Sequence, residues 1–404
     1  MSTPLRSILA VGLALTTCDI SSPAHSAPLS RAAAPLPVSN AVVQTTAAQS
    51  TAAFDDRLWS KHNGDRQALL RAIDYSLRYL RTNRAAVAYR RVQAQTGISR
   101  SHVQRSLLRF KQLLRYAITR QQFEAALARE FVWYRAAGHD GRGSVAFTGY
   151  YRPLVTASRV RTDVYRYPLY RLPGNFARWP SPHPTRAQLE GSDGLHQSRL
   201  LRGAELVWLR DRLTAYLIQV QGSAQLRLTD GKTVTIGCAG HTNWPYVSMG
   251  RELVKDGSIS ATELTLPLMI DHFHHAPQDL NRYLPRNRRF VFFHQLRGAG
   301  ASQAPASGSL GLPLTAERSI ATDKSLMPPG ALALIQIQVT NPAAAQVLGT
   351  SYITRFVLDQ DAGGAIKGAG RVDVFMGTGE QAGRRAGVIN SPGSLHYLLL
   401  KGSS

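Results

Sequence analysis

Three aspartates in the last third of this 404-residue chain have the residue type and setting that acid–base chemistry requires. Asp323 stands in Ile-Ala-Thr-Asp-Lys-Ser, Asp361 in Val-Leu-Asp-Gln-Asp-Ala-Gly-Gly-Ala-Ile-Lys-Gly, and Asp373 in Gly-Arg-Val-Asp-Val-Phe-Met-Gly-Thr-Gly. Twelve positions separate Asp361 from Asp373, and the intervening residues are rich in glycine. A connection of that kind can fold a second strand back toward the first and bring two carboxylates together. Paired carboxylates have their pKa values pushed apart, so that one stays protonated near neutral pH and serves as an acid. Cleavage of a glycosidic bond needs such a group. Val372 and Val374 flank Asp373, and apolar neighbours disfavour the ionised form. Asp361, just before Ala-Gly-Gly, and Asp323 are each read two ways, as carboxylates that tune Asp373 or bind a sugar hydroxyl, or as caps of turns.

Other chemistries are poorly served. The three aspartates lack the run of alternate oxygen ligands that a calcium or magnesium cage uses, and no metal or other cofactor is expected. His272, His274 and His275 do not fall on one face of a helix. The glycines around Gly364 and Lys367 form no phosphate loop, and no nucleophile elbow of the Gly-x-Ser-x-Gly type occurs. Cys238, in Thr-Ile-Gly-Cys-Ala-Gly, reads as a small buried hydrophobe.

The elements that must hold these residues change period along the chain. Leu69, Ile73, Leu77 and Leu80, then Val103, Leu107, Phe110 and Leu114, recur with helical spacing, and Thr82 and Asn83 mark a break between helices. From about Val145 short alternating runs take over. Tyr216–Val220, Gln225–Leu228 and Thr233–Gly237 read as strands, with Thr229-Asp230-Gly231-Lys232 as a hairpin turn. Residues 251–285 return to helix, and strands dominate after Phe290. The order helix, strand block, helix, strand block predicts an α+β protein, mainly β, with one β domain inserted into another.

Composition sets the outer limits. With 44% hydrophobic and 18% charged residues the chain is globular, and its length suits at least two domains. There are 48 basic and 25 acidic residues, a net charge of +23 that favours anionic partners. Residues 55–135 hold 17 Lys/Arg against 6 Asp/Glu, most simply a solvated helical face and alternatively a wall- or lipid-facing one. Arg6 and the short apolar stretch Ser7–Thr17 read as an export signal. Two processing sites compete. Leu15-Thr16-Thr17-Cys18 would leave a lipid-bearing Cys18, whereas Ala24-His25-Ser26 would release a soluble protein. Export and the lack of a nucleic-acid motif argue against a nucleic-acid partner.

The aspartate segments resemble the three-aspartate domain of the membrane-bound lytic murein transglycosylase A family. Upstream blocks resemble the same family in the same order. They are Phe147-Thr148-Gly149-Tyr150-Tyr151, Tyr167-Pro168-Leu169-Tyr170, Gln219-Val220-Gln221-Gly222-Ser223, Tyr246-Val247-Ser248-Met249-Gly250-Arg251 and Gly311-Leu312-Pro313-Leu314-Thr315-Ala316. The resemblance implies a double-psi β-barrel domain with N-terminal helices and an inserted smaller β domain, with a glycan groove between them. Residues 27–54, rich in Ala, Ser, Thr and Pro, read as a flexible linker after the export signal at 1–26, and the resemblance places the helical part of the barrel domain at 55–145, the insert at 146–285 and the C-terminal barrel part at 286–404. It implies lytic cleavage of the MurNAc–GlcNAc β-1,4 bond, with a 1,6-anhydro-MurNAc product and Asp373 as acid and then base. Asp361 and Asp323 would support it. Thr148, Tyr150, Tyr151, Gln219, Gln221, Gly222, Ser223, Gly364 and Lys367 would bind the glycan. The partners expected are peptidoglycan strands, for a monomer in the periplasm or on the periplasmic face of the outer membrane. A non-catalytic wall-binding barrel is the alternative.

Overall fold

The computed structural model describes residues 41–45, 55, 57–59, 65–117, 119–196, 198–261, 263–296, 305–364 and 366–402. The expected export signal and Cys18 lie outside the described residues. The chain divides into two compact units. One, the barrel unit, takes the described residues of 41–151, 305–378 and 391–402; the other, the insert unit, takes those of 152–296 and 379–390.

Helices and a closed sheet build the barrel unit. The helices Arg66–Leu80, Asn83–Thr96, Arg100–Tyr116 and Arg120–Glu130 follow the predicted period, and all eight apolar positions named above are buried. Thr82 ends the first and starts the second as expected, its side chain accepting from the Ala85 amide at 3.2 Å. Six strands close on themselves in the order Asn390–Leu400, Leu332–Gln338, Tyr352–Asp361, Ser319–Ala321, Arg371–Thr378 and Val145–Arg152, the last pairing back onto the first. Most of the registered pairs are antiparallel, but Ser319–Ala321 runs parallel to Tyr352–Asp361, with a bulge between Ile320 and Ala321. Closure leaves none of these six strands at a free edge and encloses an interior lined by side chains.

The linker expectation needs correcting at one point. Val42–Thr45 is a strand, paired antiparallel with Phe131–Ala136, and Ala41 and Val42 are buried. The rest of 27–54 lies outside the described residues. β-Branched residues next to an open strand edge gain a ladder and an apolar seat, which a composition reading of Ala, Ser and Thr does not anticipate.

The insert unit holds a four-stranded sheet in the order Leu154–Ala157, Ser223–Leu228, Thr233–His241 and Val291–Gln295, and the pair Tyr167–Tyr170 with Glu205–Leu209. Its core joins Leu169, Val207, Ile218, Leu226, Ile236 and Phe293. The hairpin at Asp230-Gly231 is present, with Gly231 at φ 83°. The segment read as strand Tyr216–Val220 is instead part of the helix Arg212–Gln221. Asp211 caps its start by accepting from the Leu213 and Thr214 amides, and Gly222 ends it in the left-handed conformation at φ 71°. Leu213, Tyr216, Leu217 and Val220 are buried along it, so an all-round apolar run settled as helix once it was enclosed. The unit boundaries shift as well. Val145–Arg152 is a barrel strand, Val291–Gln295 belongs to the insert sheet, and the helix Glu380–Gly387 belongs to the insert unit.

Candidate active site

Asp373 lies on the barrel strand Arg371–Thr378 and is fully buried. The Thr148 hydroxyl donates to its Oδ1, and Arg371 Nε stands 3.3 Å from the same oxygen. Arg371 Nη2 donates to the Thr148 oxygen at 2.8 Å, so arginine, threonine and aspartate form one connected set. Arg371 and Asp373 are two apart on one strand, and alternation puts both on the same side. The Arg-Val-Asp spacing was the sequence signal for this charged neighbour. The apolar setting predicted from Val372 and Val374 is thus only half of the environment.

Asp361 is also buried, but it does not stand beside Asp373. The two strands are not neighbours, because Ser319–Ala321 lies between them, and Ala321 pairs with Asp361 on one side and Asp373 on the other. Two strand spacings put their backbones roughly 10 Å apart. The glycine-rich connection therefore spans a third strand instead of closing a hairpin. Asp361 Oδ1 accepts from the Ser309 amide at 2.6 Å and the Ala362 amide at 2.8 Å, and Oδ2 accepts from the Tyr150 hydroxyl at 2.7 Å. Burial pushes its carboxyl above the usual range even against these three donors. Burial, and then the charge of Asp361, hold the Tyr150 hydroxyl well above its ordinary value.

Asp323 has a different environment. Burial pushes its carboxyl up, but Ser325 Oγ at 2.6 Å, the Gly368 amide at 2.9 Å, the Ser325 amide and the charge of Lys367 together hold it below the usual value. Asp323 thus fastens the glycine-rich connection at Gly368 and caps its own turn. A further carboxylate, Asp359, escaped the sequence reading although it stands two residues before Asp361. It is fully buried, pairs with Lys324, and accepts from Thr322 Oγ1 at 2.8 Å and the Tyr397 hydroxyl at 2.8 Å. Burial raises it above the usual carboxylate range despite Lys324.

The remaining predicted residues fall in two places. In the barrel unit Thr148 and Tyr150 are buried, Tyr151 and Gly364 half-buried and Lys367 exposed. In the insert unit Gln219 and Gln221 lie on the helix Arg212–Gln221, so the shared strand face read for them is replaced by two different helix faces. Gln219 Oε1 accepts from Arg186 Nη2 at 2.7 Å and from the Val291 amide at 3.3 Å, which ties it to the interior of that unit. Gly222 is the helix stop and Ser223 opens the next strand. His272 Nε2 lies 3.0 Å from Asp279 and His275 Nδ1 lies 3.5 Å from Asp271; among the described residues no three potential metal ligands converge.

Fold and site together define a six-strand β-barrel protein organised around buried aspartates, with a second β unit inserted in the chain. Comparison with known proteins carries this further. Residues 146–294 match the family description "MltA specific insert domain", and residues 318–399 match "3D domain". A membrane-bound lytic murein transglycosylase A homolog of Buchnera aphidicola subsp. Schizaphis graminum is 30% identical over 262 residues, 64% of this chain and 68% of its own. The solved lytic transglycosylase LtgG of Burkholderia pseudomallei is 29% identical, with a TM-score of 0.52, covering 93% of this chain and 100% of that one. E. coli MltA, solved with bound chitohexaose, shares the fold at a TM-score of 0.63 and 24% identity, covering 82% of this chain and 90% of its own. The chain belongs to the membrane-bound lytic murein transglycosylase A family.

Proposed function

We propose that Asp373 is the acid–base residue with which this peptidoglycan lytic transglycosylase cleaves the MurNAc–GlcNAc β-1,4 bond. The observation that carries the reading is the buried Asp373 carboxyl, hydrogen-bonded by Thr148 and flanked by Arg371, on a strand of the matched three-aspartate domain. Two donors converge on Oδ1, so that oxygen is held as an acceptor and the transferable proton belongs on Oδ2. That proton passes to the glycosidic oxygen as its bond to MurNAc C1 breaks. The carboxylate then takes the proton of the C6 hydroxyl as O6 bonds to C1, which closes the 1,6-anhydro ring and restores the acid. No water is consumed, and one residue serves in both directions.

Asp361, fastened to Tyr150 and the Ser309 loop, acts as a support and not as a partner that shares the proton. The half-buried Tyr151 and the exposed Lys367 are placed to meet substrate, a ring face for a pyranose and a cation for a lactyl or peptide carboxylate. Thr148 and Tyr150 act through the carboxylates they hold; Ser223, Gly222 and Gly364 offer close backbone approach, and Gln221 a polar end. Gln219 shapes the insert unit from inside. The six-strand ring, with its short strand set between two that follow each other in sequence, supports reading this unit as a double-psi barrel. Chitohexaose on the E. coli relative supports a glycan-strand ligand here. Membrane association is in keeping with the relatives' names, and the lipobox-like Leu15-Thr16-Thr17-Cys18 supports Cys18 as a lipid anchor; no helix among the described residues is long and apolar enough to cross a membrane.

The test is incubation of purified sacculi with the protein and with Asp373→Asn, with anhydromuropeptides measured. The parent should release them, and the variant should lose activity by about 10²–10⁴-fold with its fold intact. Turnover within tenfold of the parent ends the assignment, and a parent that binds sacculi without releasing product would be a non-catalytic barrel.

A further inference from the structure

The four N-terminal helices of the barrel unit carry a surface that catalysis does not use. Between 66 and 130 there are fourteen Lys or Arg and three Asp or Glu. All three acids are paired on these helices: Asp74 with Lys111, Glu124 with Arg120, and Glu130 with Arg109 and Arg129. The acids therefore neutralise none of Arg71, Arg81, Arg90, Arg91, Arg105 and Arg115, which are exposed and have no carboxylate partner among the described residues.

Apolar side chains stand among them. Leu108 is 47% and Tyr116 75% exposed, and Val87 is 57% exposed. On the helix Arg100–Tyr116, positions 105, 108, 112, 115 and 116 follow the 3.6-residue period and form one outward stripe, opposite the buried Val103, Leu107, Phe110 and Leu114. The stripe carries the guanidiniums of Arg105 and Arg115, the apolar Leu108 and Tyr116, and the neutral Gln112. A hydrated polymer would need only the charges. An anionic headgroup layer uses both, because arginine pairs with phosphate while leucine and tyrosine settle at the acyl boundary.

We propose that this helical face lies on an anionic phospholipid surface, with Arg105 and Arg115 on the headgroups and Leu108 and Tyr116 at the acyl boundary. The contact is peripheral and adds to whatever anchors the N-terminus. It is independent of the assignment of Asp373.

The experiment uses the full chain with Cys18→Ser, so that no acyl group contributes. Co-sedimentation is measured with phosphatidylcholine vesicles with and without phosphatidylglycerol. Binding should require the anionic lipid and fall at least about tenfold at about 1 M salt, where the screening length is about 3 Å. A variant with Arg105→Gln, Arg115→Gln, Leu108→Ser and Tyr116→Ser should bind about tenfold more weakly. Its circular dichroism and its cleavage of a short soluble glycan should match the parent. A second variant, Arg105→Gln with Arg115→Gln, leaves the apolar pair in place and should lose the salt-sensitive part alone. Equal binding to neutral vesicles, or parental binding by the fourfold variant, overturns the proposal. So does salt-sensitive binding to sacculi without binding to vesicles, which would make the wall polymer the partner. Failure of the catalytic reading would appear instead in the soluble-glycan assay of the parent.

Discussion

Each buried carboxylate of the site is set by a different balance of burial and donors. For Asp373 the Thr148 hydroxyl is the direct donor, and removing it leaves a buried acceptor short by one bond, at about 1–3 kcal/mol. Thr148→Val should therefore lose about that much stability while still folding and lower kcat by roughly ten- to a hundredfold, and Thr148→Ser should keep most of the activity. Steady-state cleavage of a soluble glycan checks this; equal losses in both variants would point to packing of the methyl group. Asp361 yields a pH prediction. Burial raises its folded pKa, so the folded state favours the protonated form. Its stabilising contribution is complete below the unfolded value of about 3.9 and is lost as pH rises through the raised folded value. Asp361→Asn stays neutral throughout, so its stability relative to the parent should climb between about pH 4 and pH 7. Urea denaturation at both ends of that range measures it, and a relative stability that falls with pH would mean that the three donors outweigh burial.

Among the elements, the barrel depends on the strand Asn390–Leu400, which pairs with both Leu332–Gln338 and Val145–Arg152. Gly393 sits opposite Ile337 at this closure. A Cβ there would come within 2.1 Å of the Gln336 carbonyl oxygen and 2.8 Å of the Phe147 ring. Neither neighbour can yield easily, one being backbone and the other a fully buried ring. Gly393→Ala should destabilise the barrel unit by about 1–3 kcal/mol, seen as a lower denaturation midpoint, whereas Gly349→Ala should cost about 1 kcal/mol. Gly349, unlike Gly393, has positive φ, but nothing stands within 4 Å of its Cβ position. Comparable losses at the two glycines would mean that the closure relaxes around the methyl group.

On the scale of the whole molecule, the barrel unit must gather stretches of chain far apart in sequence, and a buried ion cluster helps it do so. Arg318, fully buried, pairs with Asp55 and Asp65 and donates to the Phe356 carbonyl at 2.8 Å. Asp55 in turn accepts from the Phe356 amide at 2.7 Å. Arg318→Met would leave the buried Asp55 without its cation and should cost about 3–5 kcal/mol. Adding Asp55→Asn should recover part of that loss, since the orphaned charge is then gone. Denaturation of the single and double variants decides it; a double variant less stable than Arg318→Met would mean that the Phe356 contact dominates.

The sequence by itself determined the helices of the barrel unit, because Leu69, Ile73, Leu77, Leu80 and their counterparts repeat at a local period that needs no partner to be read. It also determined the hairpin at Asp230-Gly231 and, through the blocks around Thr148 and Asp373, the family. What only the tertiary structure decided is whatever depends on non-local pairing. The short strand Ser319–Ala321 separates Asp361 from Asp373, Arg371 joins Thr148 at the carboxylate, Asp359 takes Lys324, and Val42–Thr45 adds a strand to the sheet. The apolar run at Tyr216–Val220 fits helix or strand equally well until its surroundings enclose it. The physical reason is common to all of these. Local spacing limits which face a side chain can occupy, but the side chain that meets it there is supplied by a distant strand whose register the whole sheet fixes.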